Sequence, residues 1–199
     1  MPSLSARARL IRDLCQPIRT RNLALDLTDL DVYAAVPFNS YLKGDDPDAS
    51  NLAIAKVAIE RMEALGVPFI GQWEHTNLIR QYSDCMVLAE YPGSDGSGQW
   101  VRTDRLMKWI ADTLREQFPE KEEIRVGLIG HLDHVQRVAA LARYYGLTPK
   151  IDGASRRVPY DPTVRPGAQD WCRTPERFLR FEKRKARPAL IAFALTGLI

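Results

Sequence analysis

Ile124-Arg-Val-Gly-Leu-Ile-Gly-His-Leu-Asp-His-Val-Gln-Arg-Val-Ala-Ala-Leu-Ala-Arg-Tyr-Tyr-Gly146 is the stretch on which the fold of this chain turns. Its first part, through Gly130, is a short apolar run ending in glycine, the pattern of a strand buried in a sheet. Its second part sets Val135, Val138, Leu141, Ala142 and Tyr145 at helical spacing, with Gly146 as a C′ stop. Asp133 stands where an N-cap is needed and Gln136 follows three residues on, close to a capping box. His131, His134 and Arg137 therefore crowd one strand-to-helix turn. An open α/β sheet collects its ligands outside the carboxyl ends of its strands, and a helix N-terminus attracts anions, so this turn is the first candidate site.

Working outward, the same alternation of strand and helix recurs. Residues 4–16 read as a basic helix ended near Pro17, and Asp31–Pro37 as a first strand followed by a loop to Pro47. A helix runs from a Ser50 cap to Gly66 with Leu52, Ala55, Ile59 and Met62 along one face. Val67–Gly71 is a second strand, residues 76–83 a short helix, and Cys85–Ala89 a third strand ending at Glu90. After a glycine- and serine-rich loop over 92–98, Thr103 caps a helix carrying Leu106, Ile110 and Leu114 and stopped near Pro119. Leu147–Asp152 supplies a fifth strand, and Thr174-Pro175-Glu176 opens the last helix with a cap residue and proline at N1. Strands and helices in this order predict right-handed βαβ units and a parallel sheet covered on both faces. The expected fold is α/β, a Rossmann-like three-layer α/β/α sandwich with about five parallel strands in the order 3-2-1-4-5, which puts the switch point between strands one and four.

The composition agrees with one globular domain over 1–199, large enough to bury a core unaided: 45% of its 199 residues are hydrophobic and 27% charged. Cys15, Cys85 and Cys172 are widely spaced and form no disulfide framework or CxxC motif, which points to a reducing, cytoplasmic compartment. No signal peptide is expected at the N-terminus. The apolar tail over 188–199 is shorter than the roughly 20 residues a bilayer span needs, so a buried terminal helix is expected there, with a homodimer contact or an interfacial anchor as the alternatives. The net charge of +3 is unevenly spread, with both ends basic around an acidic middle. No aromatic interleaving or binding motif accompanies those ends, and nucleic acid is not an expected partner.

The carboxyl ends of the strands bring Asn39, Ser40, Glu74, His75, Glu90, His131, His134, Arg137 and Asp152 to one edge of the sheet. His134 lies in the first helical turn and Arg137 one turn on along the same face, where both can meet an anion. His75 alone reads better as one of the polar residues that α/β loops carry by chance. No glycine-rich dinucleotide turn and no Walker lysine loop is present, and the 93–98 segment lacks the lysine of a phosphate cradle. His131 and His134 would need a third donor to hold a metal, so no metal ligand is assigned and no cofactor is named.

The order of elements, Asp31-Val32 opening the first strand, Glu90 ending the third, Thr103 leading a helix, and His134-Val-Gln-Arg137-Val closed by Gly146 resemble the ElyC/SanA/YdcF-like family, a bacterial domain of unknown function. The resemblance spans about residues 28–187 and identifies the chain as a divergent, soluble member. Asn51 stands where the family has an arginine, and Leu106 or a neighbour where it has an asparagine. What the resemblance implies is a Rossmann-like fold with a pocket for a small anionic ligand, phosphate-bearing or nucleotide-like. Within it His134 and Glu90 take the catalytic positions, and Asn39, Ser40, Thr103, His131 and Arg137 the ligand-binding ones. A hydrolase with a histidine general base, with or without a metal, is the alternative. An interaction protein using the basic terminal helices is a third class.

Overall fold

A computed structural model describes residues 3–16, 23, 27–38, 46–92, 101–163 and 170–196. Five strands, β1 (Val32–Ala35), β2 (Phe69–Gly71), β3 (Val87–Glu90), β4 (Arg125–Ile129) and β5 (Thr148–Ile151), form one sheet in the order β3-β2-β1-β4-β5. All neighbours pair in parallel. The order is the one expected, and it leaves β1 and β4 side by side at the switch point.

Burial explains why these segments are strands. β1 and β2 are buried along their whole length and β4 in all but its first residue, whereas the edge strands β3 and β5 are mostly half-buried. Side chains on β1 alternate between two cores. Val32, Ala34 and Val36 join Val126 and Leu128 on one face; Tyr33 and Ala35 join Phe69 and Ile129 on the other. Helices α1 (Leu4–Cys15), α4 (Thr103–Gln117), α5 (Leu132–Tyr144) and α7 (Arg187–Thr196) cover the first face. α2 (Ala49–Leu65), α3 (Trp73–Tyr82) and the start of α6 (Pro175–Phe181) lie over the second. The chain is a Rossmann-like three-layer sandwich.

The helix termini differ in detail from the sequence expectation. Asp48, not Ser50, caps α2: its Oδ1 accepts from the Ser50 and Asn51 amides at 3.0 Å each, while the Ser50 hydroxyl donates to the Pro159 carbonyl at 2.7 Å. α3 begins at Trp73, three residues earlier than expected. Thr103 is the first residue of α4 rather than its cap; the cap position belongs to Arg102, which makes no side-chain cap bond. α5 is capped by His131, whose Nδ1 accepts from the Asp133 amide at 3.3 Å, and Asp133 instead accepts from the Tyr160 hydroxyl at 2.7 Å. Gly146 has φ of +80°, the left-handed geometry a C′ stop requires.

Thr174 caps α6 as expected, its side chain accepting from the Arg177 amide, with Pro175 at N1. The end of the chain is less simple than one terminal helix. A π-helical turn, Glu182–Ala186, joins α6 to α7, closed by the Arg187 amide on the Glu182 carbonyl. Pro188 accounts for it: a proline inside a helix lacks its N–H and clashes with the carbonyl four residues back, and a widened turn accommodates both. α7 packs on α1, burying Leu190 and Ala194 but leaving Leu195 exposed. Among the described residues no helix is long and apolar enough to cross a membrane.

Candidate functional site

At the carboxyl edge of the sheet, beside the β1/β4 switch point, a cavity of about 400 Å³ lies between the sheet and the C-terminal helices. Its floor is Val36, Pro37 and Phe38, which leave β1, and Gln72, which leaves β2. One wall is the start of α4, with Val101, Arg102, Thr103, Asp104 and Leu106; His134 and Arg137 enter from α5. The opposite wall comes from the end of the chain, chiefly Phe178, Phe181, Leu190 and Phe193, with Lys185 on the exposed side.

Arg137 is the central polar group. It is only 8% exposed. Its Nε donates to Glu182 Oε1 at 2.8 Å and its Nη1 to Thr103 Oγ1 at 2.8 Å, while Nη2 has no acceptor among the described residues. Glu182, fully buried, faces a second guanidinium as well: Arg187 Nε lies 3.4 Å from Oε2. Arg187 is itself fixed by donating to the carbonyls of Leu14 and Gln16 at the end of α1. Two arginines thus share one carboxylate, and the cluster retains one positive charge. A buried charge of this kind is stable only when paired and hydrogen-bonded, which explains why three distant segments converge here.

His134 stands 3.4 Å from Thr103 Oγ1 through Nε2, and its buried Nδ1 has no hydrogen-bond partner. Burial, with Arg137 nearby, holds its pKa well below the ordinary 6.5, so the ring is neutral at pH 7. The backbone donors that begin α5 are also in use: the His134 amide bonds the His131 carbonyl at 2.8 Å, and the Asp133 amide bonds the His131 ring. The first turn of α4 has no side-chain cap bond and lines the cavity. Asp104 in that turn is neutralised by a two-point ion pair to Arg102, at 3.0 and 2.8 Å.

Of the residues named from sequence, Thr103, His134 and Arg137 meet in this cavity. His131 is behind it, stacked on Phe38 at 4.0 Å between ring centroids and against Tyr160 at 4.0 Å, a packing and capping residue. Glu90 is apart. It ends the edge strand, with β2 and β1 between it and β4, and it pairs with Arg80 at 2.7 Å and with the Thr76 hydroxyl. Asn39 and Ser40 lie outside the described residues. His75 is fully buried with neither ring nitrogen bonded, and burial takes its pKa to about 3. Asn51 fixes the chain leaving β1, accepting from the Phe38 amide at 3.2 Å and donating to Asp48 at 2.7 Å. Cys172 borders the cavity, but burial pushes its thiol well above the ordinary range and its Sγ donates to the Phe38 carbonyl at 2.6 Å. No group of three His, Cys, Asp or Glu side chains among the described residues is placed to hold a metal ion.

Sequence reasoning missed Glu182, Lys185 and the aromatic wall. Phe178, Phe181 and Phe193 recur along the last helices, a signal of an apolar face, but nothing local says that the face covers the switch point. No family model matches the sequence, and no curated protein or solved structure matches it.

Proposed function

We propose that this chain binds a small organic anion, phosphate-bearing or nucleotide-like, in the cavity at the β1/β4 switch point, with Arg137 receiving the anionic group. The observation that carries the reading is the Arg137 guanidinium, held rigidly on Nε and Nη1 while Nη2 is left without an acceptor among the described residues at the edge of a 400 Å³ cavity. A planar guanidinium with a free edge suits oxyanions. The uncapped start of α4 adds the positive end of a helix dipole on the same side. The resemblance to the ElyC/SanA/YdcF-like family points the same way, since Thr103, His134 and Arg137 are three of the positions it singles out.

A hydrolase is the second reading, favoured by the contact of Thr103 Oγ1 with His134 Nε2. A neutral imidazole can accept a proton from a water or hydroxyl, although its lowered pKa makes it a weak base. Glu90 has no part in this version because it is engaged on α3.

A thermal-shift screen of organic phosphates, nucleotides and sugar phosphates, followed by an assay for released phosphate, tests both readings. A ligand at a hundred times its Kd adds about 2.7 kcal/mol, which raises the Tm of a domain this size by about 5–10 °C. No shift with any anion would contradict binding, and a shift without turnover would remove the hydrolase.

A further inference from the structure

We propose that the cavity selects an organic monoanion or dianion with one charged head and an apolar, ring-sized body, in preference to a nucleotide; the inference rests on the anion-binding reading above and narrows it. Charge sets the head. In the deep part the cluster of Arg137, Arg187 and Glu182 leaves one positive charge, the Arg102–Asp104 pair leaves none, and His134 is neutral. Lys185, exposed at the rim, is the next cation along the lining. One buried charge and one exposed charge balance a single phosphate, sulfonate or carboxylate. A di- or triphosphate would bring one or two further negative charges with no described cation to meet them.

The wall sets the body. The apolar part of the described lining is Phe178, Phe181, Phe193 and Leu190 from the C-terminal helices, with Val101 and Leu106 from the α4 wall. Its rings are held in place, Trp171 stacking on Phe181 at 4.5 Å and the Arg102 guanidinium lying 4.7 Å over Phe193. A base and ribose carry many donors and acceptors, and against such a wall they would lose their water without gaining partners. An aromatic or branched aliphatic body loses nothing and gains burial. The volume of about 400 Å³ is at the small end of ligand sites, about 300–1,000 Å³, and suits one fused ring system with its head.

Isothermal titration of the full chain with 1-naphthyl phosphate, 1-naphthol, adenosine monophosphate and inorganic phosphate tests this. Ala189→Trp serves as a plug, because Ala189 is an exposed residue that lines the cavity. The expected result is 1:1 binding of 1-naphthyl phosphate at least about tenfold tighter than any of the other three, a difference of about 1.4 kcal/mol or more, weakened by a similar factor in Ala189→Trp. Adenosine monophosphate binding as tightly, and being displaced by the plug, would overturn the apolar body while leaving the anion-binding reading intact. Naphthol binding as tightly as its phosphate would overturn the charged head, and with it both readings. So would no binding of any phosphate, or binding that a folded Ala189→Trp leaves unchanged. The ligand ranking stands on the unmodified protein even where the plug does not fold.

Discussion

Glu182 is a buried carboxylate that faces two buried guanidinium groups, and the geometry of the candidate site depends on it. Removing one partner of a buried ionic cluster leaves uncompensated charge, so Glu182→Ala should cost about 3–5 kcal/mol of stability, read as a lowered midpoint of urea unfolding. A loss under about 1 kcal/mol would mean that water reaches the cluster, as it does at an exposed pair. A second expectation concerns the histidines. His75 has a pKa near 3 and His134 one well below 6.5, both through burial, while unfolded imidazole protonates near its ordinary value. The unfolded chain therefore binds more protons at any pH between 6.5 and those lower values. Stability from His75 is full above 6.5 and falls as the pH drops, by roughly 1.5 kcal/mol between pH 6.5 and 5, and His134 adds to the loss in the same direction. His75→Leu should remove the part of the loss that comes from His75. It should cost nothing at pH 7, because neither ring nitrogen has a partner to lose. Urea midpoints at pH 7 and pH 5 for the two proteins check both statements; an unchanged acid slope in the variant would contradict the assignment of His75.

At the scale of elements, the strands were legible because a central parallel strand is apolar on both faces and short. The chain around Tyr33 and Gly127 shows the packing beneath that pattern. The two residues are paired across β1 and β4, and a Cβ on Gly127 would stand 2.5 Å from the Tyr33 ring and 2.6 Å from Leu30. Tyr33 cannot move freely, since it is fully buried and its hydroxyl donates to Asp152 at 2.6 Å. Gly127→Ala should therefore destabilise by about 2–4 kcal/mol through overpacking and disturbance of that bond, measured by denaturant unfolding. Retained stability would mean that the sheet tolerates a wider spacing at the switch point. Helix starts were less legible than strands. Asp133 and Thr103 look like caps in one dimension, but tertiary bonds claim their side chains, Tyr160 for one and Arg137 for the other, and an imidazole takes the capping role on α5. The π turn follows from Pro188, whose presence was plain in the sequence while its effect depended on the helix continuing through it.

On the scale of the whole molecule, topology brings residues 101–106, 134–137 and 171–193 around one cavity. His134 and Arg137 could be found in the sequence because they lie in the first two turns of a helix that directly follows a strand, and Thr103 because it leads a helix in the family pattern the chain resembles. The covering helices could not, because Glu182 is 45 residues from Arg137 and its basic neighbours read as a solvated face. Glu90 shows the converse, a residue at the right end of a strand but on the outer strand of the sheet. The central claim is that the anion binds between Arg137 and the uncapped start of α4. Amide chemical shifts followed by heteronuclear NMR while 1-naphthyl phosphate is added test it most directly. Saturable shifts are expected at Thr103, Asp104 and Arg105, with an arginine side-chain signal from Arg137 moving in step and the α1 amides unmoved. Saturable shifts confined to the basic residues of α1, with Thr103–Arg105 and Arg137 unaffected, would contradict it.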